Sequence, residues 1–352
     1  METIVKFESS APFRTELKKR IDVYFSERKT SRRDTVSLYA KAVFMLLWMG
    51  ASYYALVFLA NSWLEGILAS LSLGLALTGI GFNIQHDGSH NGFSKWQWMN
   101  RLAGSTSDYF IGASSFLWKQ KHNVRHHAFT NIPDVDHDIN FSALGRVASG
   151  QRLLPFHRFQ HLYLWLLYGL VHMRYLYGDF QTIYNGTING DKIPRLRGSE
   201  LFNFIFGKIV FFTLAIAIPL ILHPFWQVAL GYILVSFTLG LVFMLVVQLA
   251  HSVGEADHPE FSPEVDSEWA VHQIKTTVGF AHGSRILTWY VGGLNYQVEH
   301  HLFTDIAHTH YPAMSKIVKD LSNEIGLQYN EMPSLFFAVR THYLYLKKMG
   351  QP

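Results

Sequence analysis

Cysteine is absent from the 352 residues, which excludes disulfides, thiolate chemistry and iron–sulfur clusters. The absence does not identify a compartment. Residues 1–37 carry nine Lys and Arg but lack a short apolar run followed by a small-residue cleavage site. A signal peptide is therefore not expected, and residues 1–37 read as a soluble N-terminal arm. Charged residues are scarce, 16 % of the chain, and the net charge of +4 is spread through connectors beside apolar blocks. That charge is a statement about topology, and nucleic acid is not an expected partner.

What is present is apolar and aromatic. Hydrophobic residues make up 49 % and Phe, Trp and Tyr 15 %, a composition suited to lipid and its interface. Four blocks, about 38–60, 67–85, 201–222 and 227–250, meet or nearly meet the roughly 20 apolar residues a membrane span needs. Their middles are almost free of ionisable side chains. Lys41 and Lys208 fall near block ends, where a long side chain is expected to reach the interface. The connectors NSWLEG and HPFW are too short for domains and hold no Lys or Arg. The remaining 28 basic residues all lie before the first block, between the second and third, or after the fourth. Two helical hairpins are expected, with both termini and the middle region in the cytoplasm. Residues 102–118 and 159–177 are weaker apolar stretches and read as interfacial helices. The fold class is thus an all-α, multi-pass integral membrane protein with a cytoplasmic histidine-rich cap. One domain is expected over residues 38–335, followed by a tail at 336–352.

Nineteen histidines is a high count, and without cysteine any transition-metal site must use imidazole and carboxylate. His86 and His90, in HDGSH, follow the second block. On a helix, positions four apart share a face, with Cβ atoms about 6 Å from each other. HNVRHH supplies His122, His126 and His127, QVEHH supplies His300 and His301, and His251 ends the fourth block. The expected topology gathers all of these at the cytoplasmic membrane face. Eight imidazoles are too many for one zinc ion and suit two iron ions. Asp87, Asn123, Asp136, Asp138 and Glu299 are candidates for holding imidazole tautomers. Gln248, one turn before His251, is a candidate for orienting water. His157, His161, His172, His223, His258, His308, His310 and His342 are read as having no part in the site.

HDxxH, HNxxHH and QVEHH, with TNIPDVDHD, WAVHQ and VGGLNYQVEHHLF around them, resemble the membrane-bound fatty acid desaturases over roughly residues 35–335. Glutamine opening the third box is similar to the front-end, linoleoyl-CoA desaturase-like subgroup, which places a double bond between an existing one and the carboxyl end. The resemblance implies that His86, His90, His122, His126, His127, His251, His300 and His301 ligate iron. It also implies that Gln297 is a weak ligand or orients a water where other branches have histidine. Residues 1–37 are too short for the fused cytochrome b5 domain of many eukaryotic relatives. A bacterial type is therefore expected, in the inner membrane, with ferredoxin or a free cytochrome b5-like protein as electron donor. The implied reaction removes two hydrogens from a long acyl chain, carried as acyl-CoA or acyl-lipid, while O2 is reduced to water. A hydroxylase or ketolase of alkanes, sterols or carotenoids would use much the same site. A non-catalytic metal-binding membrane protein would need polar groups at mid-span, which the blocks lack.

Overall fold

The computed structural model describes residues 5–352, and they are mostly helical. Four helices among the described residues are long and apolar enough to cross a membrane: Val36–Leu59, Trp63–Ser89, Gly198–Leu222 and Phe225–His251. At about 1.5 Å per residue each exceeds the roughly 30 Å of a hydrocarbon core. The second begins earlier than its apolar block because the polar loop starts it. Ser62 Oγ accepts from Glu65 N, and the Glu65 carboxylate accepts from Ser62 N and Asn61 N, a capping box. This span is also the buried one, with 72 % of its apolar window covered against 22–28 % in the others. Phe44, Leu47, Phe202, Ile209 and Ile233 on those other spans stay exposed, the kind of surface that lipid covers.

Three of the spans contain a π turn, at Ala55–Leu59, Gly81–Gln85 and Thr213–Ala217. Each adds one residue to its turn; the first ends its span, and the other two re-aim the helix that follows. The turn at Gly81–Gln85 immediately precedes His86. The helix then runs on through Gly88, where a Cβ would lie 2.6 Å from Ala103 Cβ and Gly104 N. Glycine is required at that approach, although it is a poor helix former.

Residues 102–118 do not form the single interfacial helix expected. Helix Gln97–Gly104 gives way to a π turn at Ser107–Ile111, and helix Ser115–Lys121 starts after a break. The break is Gly112, at φ +79°, where an added Cβ would meet the Phe211 ring at 2.8 Å. The second weak stretch is one long helix, Gln160–Asn185.

Two compact units are assembled from segments that alternate along the chain. The first takes in residues up to Thr35, Gln120–Leu164 and Val246–Pro352. Its helix Pro12–Arg28 buries Phe13, Leu17, Ile21 and Phe25, at four-residue spacing, against Ala270, Ile274, Val298, Tyr311 and Val318. The arm expected from sequence is therefore in part a docked helix. Its free N–H groups are satisfied by Glu268, whose carboxylate accepts from Phe13 N at 3.2 Å and Arg14 N at 2.8 Å. Short parallel pairs, Lys6–Phe7 with Glu264–Val265 and Gly279–Phe280 with Glu331–Met332, tie distant segments together. The segment expected as a tail is helical over Leu335–Met349 and buries Ala338, His342, Tyr345 and Leu346.

The second unit comprises Val36–Lys119 and Trp165–Leu245. Leu73, Leu77, Ile111, Val235 and Leu239 form its apolar cluster. Its first two spans are pinned by Ser72 Oγ, which accepts from Trp48 Nε1 at 3.0 Å and lies 2.8 Å from Ser52 Oγ. Lys208 departs from expectation. Its ammonium turns inward, donating to Asp179 Oδ2 at 2.6 Å and Gly112 O at 2.5 Å, and the side chain is buried. Asp179 also accepts from Ser114 N. Asp108 stands close by against Gly207, and burial pushes its carboxyl up to about 7 despite a hydrogen bond from Ser115.

Candidate metal centre

HNVRH, His122–His126, is a π turn, so the bond that closes it runs from His127 N to His122 O at 3.0 Å. In an α-helix His126 and His127 would diverge by about 100°. The wider turn brings His127 beneath His122 instead, with their Nε2 atoms 3.0 Å apart. The opposite ring nitrogens are held from outside. His122 Nδ1 donates to Asp138 Oδ2 at 2.8 Å, and His126 Nδ1 to Asp136 Oδ2 at 2.9 Å. Asp136 is itself fixed, accepting from Asn131 N and Asp138 N, and Lys121 Nζ lies 3.1 Å from Asp138 Oδ1. Burial opposes protonation of His126, yet Asp136 and Asp138 outweigh it and raise its pKa.

QVEHHL forms the helix Gln297–Leu302, with Gln297 through His301 buried. His300 Nε2 lies 3.0 Å from His127 Nε2, extending the line of nitrogens begun by His122. His301 Nδ1 donates to Gln273 Oε1 at 2.8 Å. His251, at the end of the fourth span, completes a second group. One ring nitrogen each from His126, His251 and His301 lies within 4.8 Å of the others, as for His127, His300 and His301. Gln297 Nε2 is 3.0 Å from His251 Nε2.

The remaining expected residues divide. In the second unit His86 and His90 stand with ring centroids 4.8 Å apart, and Trp118 packs edge-on against both. Asp87 Oδ1 is 3.8 Å from His86 Nδ1, too long for a hydrogen bond. Gln248 Oε1 accepts from Ser252 Oγ at 2.6 Å. Asn123 is half-buried in the π turn. Glu299 accepts from Tyr329 Oη at 3.0 and 3.2 Å, and burial raises its pKa to about 8. The carboxyl is thus bonded to a phenol and not to an imidazole.

Several residues not singled out from sequence support this region. Asn131 Nδ2 reaches the carbonyls of His251, Asp257 and Thr276. His272 Nε2 donates to Thr130 O, and Trp269 Nε1 to His127 O. His342, read as having no part in the site, is fully buried and bonds Ser252 O at 2.7 Å. Asn131, Trp269 and His272 lie in the flanking TNIPDVDHD and WAVHQ, but polar residues in short motifs do not announce their partners, and His342 lies in neither.

The donor set fits a metal ion. An imidazole whose Nδ1 hydrogen is engaged offers Nε2 as a lone pair. His126 Nε2 is buried with no hydrogen-bond partner among the described residues. Nitrogens bound at about 2.0–2.1 Å and at right angles on one ion lie about 3 Å apart. The His122–His127 and His127–His300 separations are both 3.0 Å.

The spans and the imidazole groups together define a multi-span membrane protein with a nitrogen-rich site able to hold metal. The chain belongs to the fatty acid desaturase family, whose model it matches over residues 61–333. It is 36 % identical to the sn-1 linoleoyl-lipid 6-desaturase of Arthrospira platensis, over 98 % of this chain and 95 % of the relative. It is 34 % identical to the protein of the same name from Synechocystis sp., over 99 % and 98 %. An acyl-lipid (8-3)-desaturase of Physcomitrium patens is 33 % identical, over 95 % of this chain and 71 % of the relative. The protein is accordingly a fatty acyl desaturase, an oxidoreductase of lipid metabolism.

Proposed function

We propose that this desaturase acts on an acyl-lipid and inserts a cis double bond on the carboxyl side of an existing one, at carbon 6 of a linoleoyl chain. The relatives named as lipid 6-desaturases, aligned over almost their whole length, support that substrate. His86, His90, His122, His126, His127, His251, His300 and His301 serve as ligands to two iron ions, and a ferredoxin or free cytochrome b5-like protein supplies electrons. Iron held by these residues would supply the O2 chemistry of the reaction, in which loss of two hydrogens from adjacent carbons and entry of two electrons and two protons account for two waters. The observation that carries this reading is the set of imidazoles whose Nδ1 atoms are engaged by Asp136, Asp138 and Gln273.

The chain's own residues would divide the work. Asp136 and Asp138 hold the His126 and His122 rings in the tautomer that presents Nε2. Gln297, 3.0 Å from His251 Nε2, would orient a water or serve as a weak ligand. Asp87, Asn123, Gln248 and Glu299 act from behind the ligands, Glu299 through the backbone of its own helix. The domain runs from about residue 38 to 335, its spans arranged as two hairpins. Both termini and the site lie on the cytoplasmic side of a bacterial inner membrane, a reading supported by the two connectors without Lys or Arg.

Expression in a host fed linoleate, with mass-spectrometric location of new double bonds, tests the reaction. A product unsaturated at carbon 6 and found first in glycerolipid is expected. A hydroxylated product, or none from iron-loaded protein with a working donor, would overturn it. For orientation, cysteines replacing the exposed Asn61 and Glu260 should be labelled from opposite sides of the membrane. Labelling of both from one side would refute the four-span arrangement.

A further inference from the structure

Helix Trp269–Thr276 turns one face toward the segment that carries the second histidine box. Positions 269, 272, 273 and 276 follow the i, i+3, i+4, i+7 spacing of a single helical face, and each meets residues 127–131. Trp269 Nε1 donates to His127 O at 3.1 Å, and His272 Nε2 donates to Thr130 O at 2.9 Å. Thr276 O accepts from Asn131 Nδ2 at 3.0 Å. Gln273 lies between them and reaches further. Its Oε1 lies 2.8 Å from Thr130 Oγ1 and 2.8 Å from His301 Nδ1. One amide oxygen thus bridges the box-two segment and a histidine of box three, and Gln273 is fully buried.

The available donors and acceptors decide which way the amide points. His301 can offer Nε2 to a metal only if Nδ1 carries the hydrogen. That hydrogen needs an acceptor, and the Gln273 carbonyl is nearer than Thr130 Oγ1, at 2.8 against 3.2 Å. Thr130 Oγ1 donates to the same carbonyl at 2.8 Å, sharing its single proton with His126 O, and that bond also needs the amide oxygen to face this way. With the carbonyl turned to His301, the amide nitrogen is left without a hydrogen-bond partner among the described residues. A buried polar group left unsatisfied in this way is uncommon and marks a site where another demand prevails. The demand here is an acceptor for His301.

We propose that Gln273 is a positioning residue that fixes His301 in its Nδ1–H tautomer and locks box three to box two. It does for His301 what Asp136 does for His126, with a neutral amide in place of a carboxylate. The inference rests on the reading of His301 as a metal ligand.

The test uses iron-loaded holoprotein in detergent, challenged with a ferrous chelator, with the rate of iron release as readout. Gln273→Met keeps length and bulk but removes the acceptor, and is expected to release iron about 10–100-fold faster. Gln273→Glu restores an oxygen at the same reach and should stay within about threefold of wild type. Equal release from Gln273→Met and wild type, or equal acceleration by Gln273→Met and Gln273→Glu, would overturn the proposal. Should Gln273→Met not accumulate in folded form, Gln273→Asn, one methylene short of His301, is read in its place against the same criteria. His301→Ala separates the two levels. Iron retention unchanged in His301→Ala removes His301 from the metal and the proposal with it. Rapid loss there, with no change in Gln273→Met, sinks the positioning role alone.

Discussion

In the unit built on residues 120–164 and 246–352, buried polar side chains are aimed at one another's rings and backbone. Asp136 receives His126, Asn131 and Asp138, Gln273 receives His301 and Thr130, and Asn131 collects three carbonyls. The unit of Val36–Lys119 and Trp165–Leu245 joins its helices through the apolar cluster of Leu73, Leu77, Ile111, Val235 and Leu239, and it too buries polar side chains, among them His86, His90 and Asn100. Its closest approaches are made by glycines, such as Gly240, where a Cβ would lie 2.7 Å from the carbonyls of Tyr168 and Gly169. An ion pair, Lys208 with Asp179, is buried in the same unit. Polar partners aimed at one nitrogen of a ring fix its tautomer, which metal binding needs. Apolar burial with small residues fixes helix separation, which needs no tautomer at all. Substitutions at the rings and their polar partners, His86 and His90 of the second unit included, should fail in function before they fail in fold. Substitutions at the close glycine approaches and at Lys208 with Asp179 should fail in fold first.

The largest effect is expected from removing one imidazole. His126→Ala should insert and fold yet lose activity by well over the roughly 10–100-fold typical of lost supporting contacts. Activity assays beside thermal unfolding in detergent would show it. His126→Ala with wild-type turnover would take box two out of the mechanism.

Lys208→Met probes the other region. It leaves Asp179 buried without its cation, which costs about 3–5 kcal/mol when one partner of such a pair is lost. Thermal unfolding should record that loss, and adding Asp179→Asn should restore much of it, because the amide oxygen still accepts from Ser114 N. If Lys208→Met is as stable as wild type, the ion pair does not hold this region, and the contrast between the units weakens.

Sequence made the spans legible because about 20 apolar residues in a row have few other uses. Histidines four apart, or adjacent, were legible for the same reason of spacing. The π turn at His122–His126 was not, since one extra residue per turn leaves no compositional mark. That turn is what sets His127 under His122. Lys208 looked like a side chain reaching for the interface because its partner, Asp179, lies on a different helix. Residues 102–118 looked like one helix because Gly112 alone does not announce a break, and the Phe211 ring that fills its place is about a hundred residues away. His342 looked peripheral for lack of any sign that residues 335–349 pack inward. Long-range partners, more than local propensity, were the missing information.

A smaller effect sharpens the account within the first unit. Gln297→Ala should keep its iron, because His251, His300 and His301 remain, while turnover falls severalfold. Iron quantification beside product analysis checks this. Loss of iron in Gln297→Ala would make the amide a true ligand, and unchanged turnover would reduce it to a space filler.

If the clustered imidazoles hold redox metal for acyl desaturation, gently purified protein should carry that metal in the same sample that forms the double bond, and metal analysis beside a desaturase assay reads both. About two iron atoms per chain are expected from the eight histidines. Stoichiometric zinc without iron, in protein that still forms the double bond, would contradict the account.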